Sequence, residues 1–491
     1  MKPVLNRFLL FCIVFFISSA QAQDVQTFVQ NRLQNPVLNG AWWGGLAVYA
    51  DGTQKEIFSV SPDQRLTPAS TLKLLTSAAA LETFGPHHRF LTRLYASAKP
   101  DEKGVLKGDL YLQGGADPTL GSPRVTGGEP WQKVAAKWAK AVRQAGITRI
   151  EGNLYADVSA FEGPSIAPKV NWENIGNYYA APVSPLCFND NSFKIYFKPQ
   201  PFGGKQTEIS RTEPQIPQLE LKNFVTTDAK NKRDNAYVYG APRQYEMEIY
   251  GTIPTNFTGF SIQAALPDSA LFALQALHNA LREEGIAVGG REKTLSTTPD
   301  YSAMTLLHTY RSPELKDIIV IVNKRSFNLY AEMLLRNLAL QAGKKGSVQN
   351  GLEELEKFLR KNKLAAQDAV LYDGSGLSRD NMLTPRVLVN TLVFMTKSPH
   401  FKYYYQSLAT PNDRGDLLLL RYFLKPKHQV QDVRVKGGTI DGVKTVAGYV
   451  HDANGHPIAF ALMANNLASK DETVLRIHED IIKQLLLSSS D

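Results

Sequence analysis

A serine and a lysine three residues apart are the first pair in the sequence whose side chains suggest shared chemistry. Ser70 and Lys73 lie in RLTPASTLKLLTSAAALETFG, residues 65–85, where apolar side chains repeat at helical spacing. Residues three apart on a helix face the same side, so the hydroxyl and the amine come within hydrogen-bond reach. A serine hydroxyl becomes an effective nucleophile when a base takes its proton. The spacing therefore indicates a nucleophile beside its own general base.

Lys73 suits the role of a base because its sequence neighbours do not keep it protonated. No Asp or Glu lies three or four residues away, and the surrounding side chains are apolar. Burial without a carboxylate partner lowers the pKa of a lysine from its free value of about 10.4. A surface lysine whose stem lies along apolar side chains would show the same pattern. Ser-x-x-Lys alone does not separate these two interpretations.

Two later stretches supply further polar groups. Ser326 and Asn328 follow the apolar run IIVIV where a helix is predicted to begin, and both residue types also serve as helix caps. The stretch VRVKGGT, residues 433–439, indicates a strand that delivers Lys436 and then two glycines, beside which another backbone can lie. An edge strand ending in a bulge has the same composition. The order of the three stretches favours the catalytic interpretation.

The two ends of the chain contain the elements that must position these residues. Turn residues such as Asp-Gly separate short apolar runs at both ends, which is typical of antiparallel hairpins. An amphipathic helix is predicted over residues 472–487. We therefore expect one five-stranded antiparallel sheet with flanking helices. The predicted strands are residues 44–50, 55–60, 433–440, 443–450 and 457–464.

The middle of the chain divides into two kinds of sequence. Residues 311–397 are helical in periodicity around the Gly/Ser/Asp loop at 373–381, whereas residues 94–290 are strand-rich and full of Gly and Pro. A split domain with a large insertion explains this better than tandem domains. We expect an α+β catalytic domain formed by 23–93 and 291–491. Its insertion would lie between the first and second motifs and consist of two small domains.

The first 22 residues have the layout of a secretory signal peptide. Lys2 and Arg7 precede ten apolar residues from Phe8 to Ile17, and a small-residue cleavage site, Ala-Gln-Ala, ends at residue 22. Such a run is too short for a bilayer core, which needs about 20 residues. We expect cleavage, no integral membrane span, and a mature protein in the periplasm or associated with the cell wall.

Composition excludes several classes of function. Cleavage removes two cations, so the net charge falls from +9 to +7, and Cys187 becomes the single cysteine. One cysteine allows neither an internal disulfide framework nor a Cys-based metal site, and we expect it to be a small buried side chain. No Lys/Arg cluster indicates nucleic-acid binding. His-Glu-x-x-His is absent, so we expect no metal and no other cofactor.

Ser-x-x-Lys, Ser-x-Asn and Lys-x-Gly in this order resemble the signature of penicillin-binding proteins and serine β-lactamases. The long insertion is similar to that of the D-alanyl-D-alanine carboxypeptidases/endopeptidases, the class C low-molecular-mass penicillin-binding proteins. The stretches GDLYLQGGADPTL, APVSPLCFNDN, DGSGLSRDN and GTIDGVKTVAGYV also resemble that group, so the likeness covers nearly all of the mature chain. It implies a serine β-lactamase/transpeptidase-like fold and a peptidase acting on peptidoglycan.

The resemblance implies a role for each motif residue. Ser70 would be the acylated nucleophile and Lys73 its general base. Ser326 would relay a proton to the leaving amine, and Asn328 would hold the peptide backbone of the substrate. The substrates would be peptidoglycan stem peptides and D-alanyl cross-links, and β-lactams would be covalent inhibitors.

The third motif would serve the substrate and the oxyanion. Lys436 would place positive charge near the substrate carboxylate, and the N–H groups of Ser70 and Thr439 would form the oxyanion hole. The family usually has Thr or Ser where this chain has Gly437. We expect the loss of that hydroxyl to change affinity or the balance of activities, because nucleophile and base are intact.

Two alternative functions stay open from the sequence. A β-lactamase or esterase on the same core would need fast deacylation, and the large insertion is not expected there. A wall-binding or regulatory protein that has lost turnover gains slight support from Gly437. Asp373 and Arg379 lie in the 373–381 loop, but the sequence assigns them no role.

Overall fold

The described part of the chain contains eleven α-helices. The computed structural model describes residues 24–198, 200–231, 234–411, 413, 433–468 and 472–489. The predicted signal peptide, residues 1–22, lies outside the described residues. Among the described helices, none has the length and apolar content to cross a membrane. The helices are α1 Val25–Leu33, α2 Lys73–Phe84, α3 Trp131–Gln144, α4 Trp172–Ile175, α5 Ser269–Glu283, α6 Leu315–Lys324, α7 Asn328–Gln341, α8 Val348–Lys361, α9 Pro385–Thr396, α10 Phe401–Ser407 and α11 Thr473–Leu487.

The described strands are short and are distributed over five sheets. They are β1 Trp42–Tyr49, β2 Glu56–Val60, β3 Leu91–Ala96, β4 Val105–Leu106, β5 Leu110–Gln113, β6 Arg149–Ile150, β7 Leu154–Asp157, β8 Ser192–Phe197, β9 Ile209–Glu213, β10 Glu220–Asn223, β11 Thr226–Asp228, β12 Asn235–Tyr239, β13 Glu246–Pro254, β14 Ser261–Ala265, β15 Ala287–Val288, β16 Glu292–Leu295, β17 Thr305–Arg311, β18 Arg434–Ile440, β19 Val443–His451 and β20 Pro457–Asn465.

One antiparallel sheet joins the two ends of the chain, as predicted. Its five strands run in the order β18-β19-β20-β1-β2. A two-residue turn, Asp441–Gly442, connects β18 to β19, and the φ of Gly442 is 72°. The register of β18 on β19 is unbroken from Arg434 to Ile440. The third motif therefore lies on an edge strand, and the alternative of a bulge there is wrong.

Both faces of this sheet are buried, which fixes its position in the domain. Along β20, Ala459, Ala461 and Met463 face the core shared with α2, α7 and α9, whereas Phe460 and Leu462 face α1 and α11. This alternation is the period of two that a strand imposes. The sheet is thus held between two helical layers, and its edge strand is fixed relative to α2.

The first motif departs from the predicted helix in one respect. The α-helix begins at Lys73, and residues Ala69–Leu72 form a tighter 3₁₀ turn before it. The φ of Ala69 is 47°, which an α-helix does not accommodate. The predicted stop at Gly85 is confirmed, with a φ of 75°. All side chains from Lys73 to Leu81 are buried, which explains the apolar composition of α2.

The insertion has its own hydrophobic core around α3 and α5. Its largest sheet has the order β16-β7-β5-β3-β17, so the strands by which the chain leaves and re-enters the catalytic domain, β3 and β17, are neighbours. Strands β16 and β17 lie beyond residue 290 and pair with strands of the insertion. The boundaries at 94 and 290, and the division into two small domains, stay predictions.

Candidate active site

Ser70 lies in the tight turn that precedes α2, and two glycines make room for that turn. A Cβ added to Gly376 would lie 1.8 Å from the carbonyl oxygen of Ala69. A Cβ added to Gly438 would lie 2.9 Å from the Ser70 nitrogen. The turn is therefore held between the 373–381 loop and β18, and backbones approach there as the two glycines of the third motif predict.

Lys73 is fully buried directly behind Ser70. Its Nζ lies 2.9 Å from Ser70 Oγ, 2.6 Å from Asn328 Oδ1 and 2.6 Å from the carbonyl oxygen of Ser375. The two short contacts are to acceptors only, so they orient the amine by taking two of its hydrogens. The third contact of the amine is the one with the Ser70 hydroxyl. The interpretation of Lys73 as a snorkelling surface lysine is wrong.

Burial brings the pKa of Lys73 close to neutral pH. Desolvation lowers the pKa to about 7, against the opposing negative charges of Asp373 and Glu332. Both carboxylates are distant from Lys73 in the sequence, but the fold brings them close enough for their charges to act on it. Their charge keeps the pKa from falling further.

The second motif lies at a break between two helices. Ser326 follows α6 with a φ of 54°, and α7 begins at Asn328 after Phe327 without a side-chain cap. The interpretation of Ser326 and Asn328 as capping residues is therefore wrong. Asn328 accepts from Lys73 and donates through Nδ2 to the carbonyl oxygen of Tyr179 at 2.7 Å. Asn328 thus connects Lys73 to the insertion.

The third motif brings a second buried lysine to the site. Lys436 Nζ donates to Ser326 Oγ at 2.9 Å and to the carbonyl oxygen of Gly437 at 2.5 Å. Burial, together with the charge of Lys73, holds the pKa of Lys436 well below its usual range. An anionic group placed beside Lys436 would favour its protonated form.

Two buried carboxylates that the sequence left without a role hold the 373–381 loop. Asp373 accepts main-chain N–H bonds from Ser375, Gly376 and Ser378 at 3.2, 2.7 and 2.6 Å. Burial and the charge of Glu332 raise the pKa of Asp373. The loop in turn presents the Ser375 carbonyl to Lys73.

The second of these carboxylates, Glu332, is a site residue that sequence reasoning missed. It accepts from the Gly374 N–H at 2.9 Å and from Arg336 Nη1 at 3.0 Å. A signal for it exists in the sequence, because Asn328, Glu332 and Arg336 repeat every four residues along a largely apolar helix.

The motifs meet at the base of an open cleft of about 650 Å³ between the catalytic domain and the insertion. One wall carries Ser70, Ser326, Asn328, Gly376 and Thr439. The other wall is formed by α4 and the residues on both sides of it, by β12 and the residue before it, and by Gln263 of β14. Arg379, to which the sequence gave no role, lines the same cleft. All six predicted site residues are therefore brought together, four lining the cleft and Lys73 and Lys436 buried beneath it. The remaining cysteine, Cys187, is buried as predicted.

Comparison with known proteins agrees with this arrangement. A model of the D-Ala-D-Ala carboxypeptidase 3 (S13) family matches residues 25–486. The D-alanyl-D-alanine carboxypeptidase of Actinomadura sp. (strain R39) is 27% identical over 482 residues, covering 94% of this chain and 86% of the relative. D-alanyl-D-alanine carboxypeptidase DacB of Haemophilus influenzae is 23% identical over 404 residues, covering 82% and 81% of the two chains.

The solved structure of penicillin binding protein 4 from Haemophilus influenzae has a TM-score of 0.80 at 21% identity, covering 94% of this chain and 99% of that one. This match confirms the fold that the motifs implied. Because the family match extends over nearly all of the described residues, the chain belongs to the D-Ala-D-Ala carboxypeptidase 3 (S13) family of serine peptidases.

Proposed function

We propose that this protein hydrolyses the terminal D-alanyl-D-alanine bond of peptidoglycan stem peptides through an acyl-enzyme on Ser70. One observation carries the proposal. A fully buried lysine with a pKa of about 7 lies 2.9 Å from an accessible serine hydroxyl. A base with a pKa near the working pH is the most effective one, because it is neutral and still accepts a proton readily.

Acylation begins when neutral Lys73 accepts the Ser70 proton and Ser70 Oγ attacks the carbonyl carbon of the penultimate D-alanine. The N–H groups of Ser70 and Thr439 stabilise the oxyanion that forms. The C–N bond then breaks, and the proton held by Lys73 reaches the leaving amine through Ser326. Free D-alanine departs and an ester on Ser70 remains.

Deacylation repeats the chemistry with water as the nucleophile. Lys73 takes a proton from the water, the oxygen adds to the ester carbonyl, and the C–O bond to Ser70 breaks. The proton returns to Ser70 Oγ, which restores the free enzyme. The carboxylate of the departing or entering peptide favours the protonated form of Lys436.

The same machinery extends to D-alanyl cross-links and to β-lactams. In a cross-link the attacked carbonyl is again that of D-alanine, and the leaving amine belongs to a second stem peptide, which the open cleft admits. In a β-lactam the leaving amine stays tethered to the acyl group, so it blocks the approach of water and the ester persists. Penicillin binding protein 4 of Haemophilus influenzae, which shares the fold, has been solved in complex with a β-lactam.

The proposed substrate agrees with the pattern of a cleavable export signal at residues 1–22. Peptidoglycan lies outside the cytoplasmic membrane, so we infer a mature protein that acts in the periplasm or bound to the cell wall.

The first experiment is intact-mass measurement of the purified protein with and without benzylpenicillin. We expect a mass increase of one penicillin in the wild type and in Ser302→Ala, a matched exposed serine between β16 and β17, but none in Ser70→Ala. D-alanine release from a pentapeptide ending in D-Ala-D-Ala should follow the same order. Release of monomers from a cross-linked peptide dimer measures the endopeptidase activity in the same preparations.

Other outcomes of this experiment distinguish the alternatives. If no adduct forms and no penicillin is consumed, the site is inactive and the protein binds the wall without turnover. If penicillin is consumed rapidly with no lasting adduct, the protein is a β-lactamase.

A further inference from the structure

Four aromatic side chains form a continuous row on the surface of the insertion. Trp172, Tyr239, Tyr250 and Phe224 contact one another in that order, with ring centroids 6.2, 5.8 and 4.8 Å apart. We call these four residues the aromatic strip. Trp172, Phe224 and Tyr250 are 59%, 47% and 42% exposed. Contiguous exposed apolar side chains of this size mark a surface that binds something.

The sheet of the insertion fixes the row. Phe224 directly follows β10, Tyr250 lies on β13 and Tyr239 on β12, and these strands are neighbours. The alternate residues Val238 and Ile249 point into the core. Because side chains alternate between the faces of a strand, the rings share the outer face. Their spacing is therefore set by the strand register.

The strip begins at the catalytic cleft. Tyr239 lines the cleft, as do Asn171 and Glu173 on either side of Trp172. Tyr250 and Phe224 continue from Tyr239 away from the cleft across three strands, a distance of about 10 Å. A ligand that is bound to the cleft and continues beyond it on this side would lie on the strip.

We propose that the aromatic strip binds the glycan chain to which the stem peptide is attached. This inference rests on the proposed function, since a stem peptide held in the cleft carries its glycan with it. A pyranose ring has faces of C–H groups that stack on aromatic rings, and a rim of hydroxyl and amide groups that need hydrogen-bond partners. Glu248, which accepts from the Tyr250 hydroxyl at 2.9 Å, supplies such a partner beside the rings.

The charges around the strip favour a neutral polymer. Same-face positions of β10 and β13 carry Glu220, Glu246 and Glu248 against one cation, Lys222, which is paired with Glu246. Nucleic acids and anionic membranes need clustered cations, so this face disfavours both. The carboxyl groups of the glycan are joined to the stem peptides by amide bonds, so a fully substituted glycan carries no charge of its own.

The test measures binding of purified glycan strands whose stem peptides have been removed and whose freed carboxyl groups have been capped as simple amides, so that the strands stay uncharged. We expect the double variant Phe224→Ala/Tyr250→Ala to bind these strands at least tenfold more weakly than the wild type, because stacking on two adjacent rings is lost. Trp172→Ala should bind the strands several-fold more weakly than the wild type. The matched control is Trp42→Ala, a tryptophan on β1 of the catalytic domain with an exposure of 58%, which should bind within twofold of the wild type.

A second measurement on the same preparations separates this inference from the proposed function. The double variant removes side chains that do not line the cleft, so its penicillin adduct and its D-alanine release from a free pentapeptide should match the wild type. If the wild type releases D-alanine but the double variant binds glycan as tightly as the wild type, the strip is not the glycan site. If glycan binding depends on the strip but the wild type forms no adduct, the proposed function fails and the strip stands. Binding of a second protein, and not of glycan, at the strip would overturn the inference.

Discussion

The two walls of the cleft are built in opposite ways. On the catalytic wall, the amines of Lys73 and Lys436 are fully buried and anchored on main-chain carbonyl oxygens. On the insertion wall, Glu173 and Tyr237 are exposed side chains on a short helix and a strand. The first wall thus holds buried amines in fixed positions behind Ser70. The second wall is exposed to solvent and faces parts of a substrate that lie away from the bond being broken.

This difference predicts how strongly each wall responds to substitution. Charges interact more strongly where water is excluded, so one altered group behind Ser70 changes the pKa and position of its neighbours. An exposed side chain on the insertion wall contributes less, because water replaces what is lost. The following variants alter the catalytic wall, each with a control away from the cleft, and run from the largest expected effect to the smallest.

Lys73→Met should have the largest effect. Methionine keeps the volume of the lysine stem but cannot accept the Ser70 proton, so acylation by benzylpenicillin should slow by about 10³-fold, within the usual range for a general base. The measurement is the second-order acylation rate from intact mass against time. Lys230→Met, at an exposed lysine of the insertion, should acylate at the wild-type rate. A loss of less than tenfold for Lys73→Met would assign the base to another group.

Gly438→Ala should have the next largest effect. The added Cβ would meet Thr445 Oγ1 at 2.3 Å and the Ser70 nitrogen at 2.9 Å, so β18 must move away from the turn that carries Ser70. Displacing an oxyanion donor costs about 10² in rate. We expect kcat for D-alanine release to fall more than KM rises. Gly203→Ala in the insertion, where the nearest atom would be 3.3 Å away, is the control. Equal kcat in both variants would contradict the proposed oxyanion hole.

Glu332→Gln should change the pH profile more than the maximal rate. Glutamine still accepts from the Gly374 N–H, but the negative charge that raises the pKa of Lys73 is gone. In the proposed mechanism Lys73 works as the neutral amine, so activity should rise as pH passes its pKa. A lower pKa therefore moves the acidic limb of kcat/KM to lower pH. D-alanine release between pH 5 and 9 measures the shift.

The same variant should also lose stability, because buried Arg336 loses its ionic partner. Breaking a buried pair costs about 3–5 kcal/mol in the free energy of unfolding. Glu356→Gln removes a carboxylate with the same i,i+4 spacing to Arg360, but on an exposed face. Glu356→Gln should lower the free energy of unfolding by about 0.5 kcal/mol or less and leave the pH profile unchanged. An unshifted acidic limb in Glu332→Gln would exclude an influence of this charge on Lys73.

Local sequence signals predicted the catalytic wall well. The Asp441–Gly442 turn and the alternation of the strands fixed the five-stranded sheet, and the motif spacings identified the residues that meet around Ser70. Each of these signals lies within a few consecutive residues, so a single sequence is enough to recognise it. The role of Glu332 was missed because its hydrogen bond to Gly374 spans 42 residues.

The insertion and the turns were less predictable. Strand β17 pairs with β3, from which it is separated by more than two hundred residues in the sequence. No local sequence pattern predicts that pairing. The left-handed conformations of Ala69 and Ser326 are also invisible in the sequence, because neither residue is glycine. Tertiary packing imposes these conformations, since the surrounding loop and strand over-determine them.

Ala69→Gly should have the smallest effect and tests that strain directly. A left-handed alanine costs about 1–2 kcal/mol, whereas glycine adds about 0.5–1 kcal/mol of backbone entropy, so the variant should be more stable by about 1 kcal/mol or less. Ala365→Gly, at another left-handed alanine with a φ of 53°, should gain a similar amount in urea unfolding. Only Ala69→Gly should slow acylation, by a few-fold, because Ser70 is then held less firmly. Equal acylation rates in the two variants would mean that the burial of Lys73, and not the strained turn, positions the nucleophile.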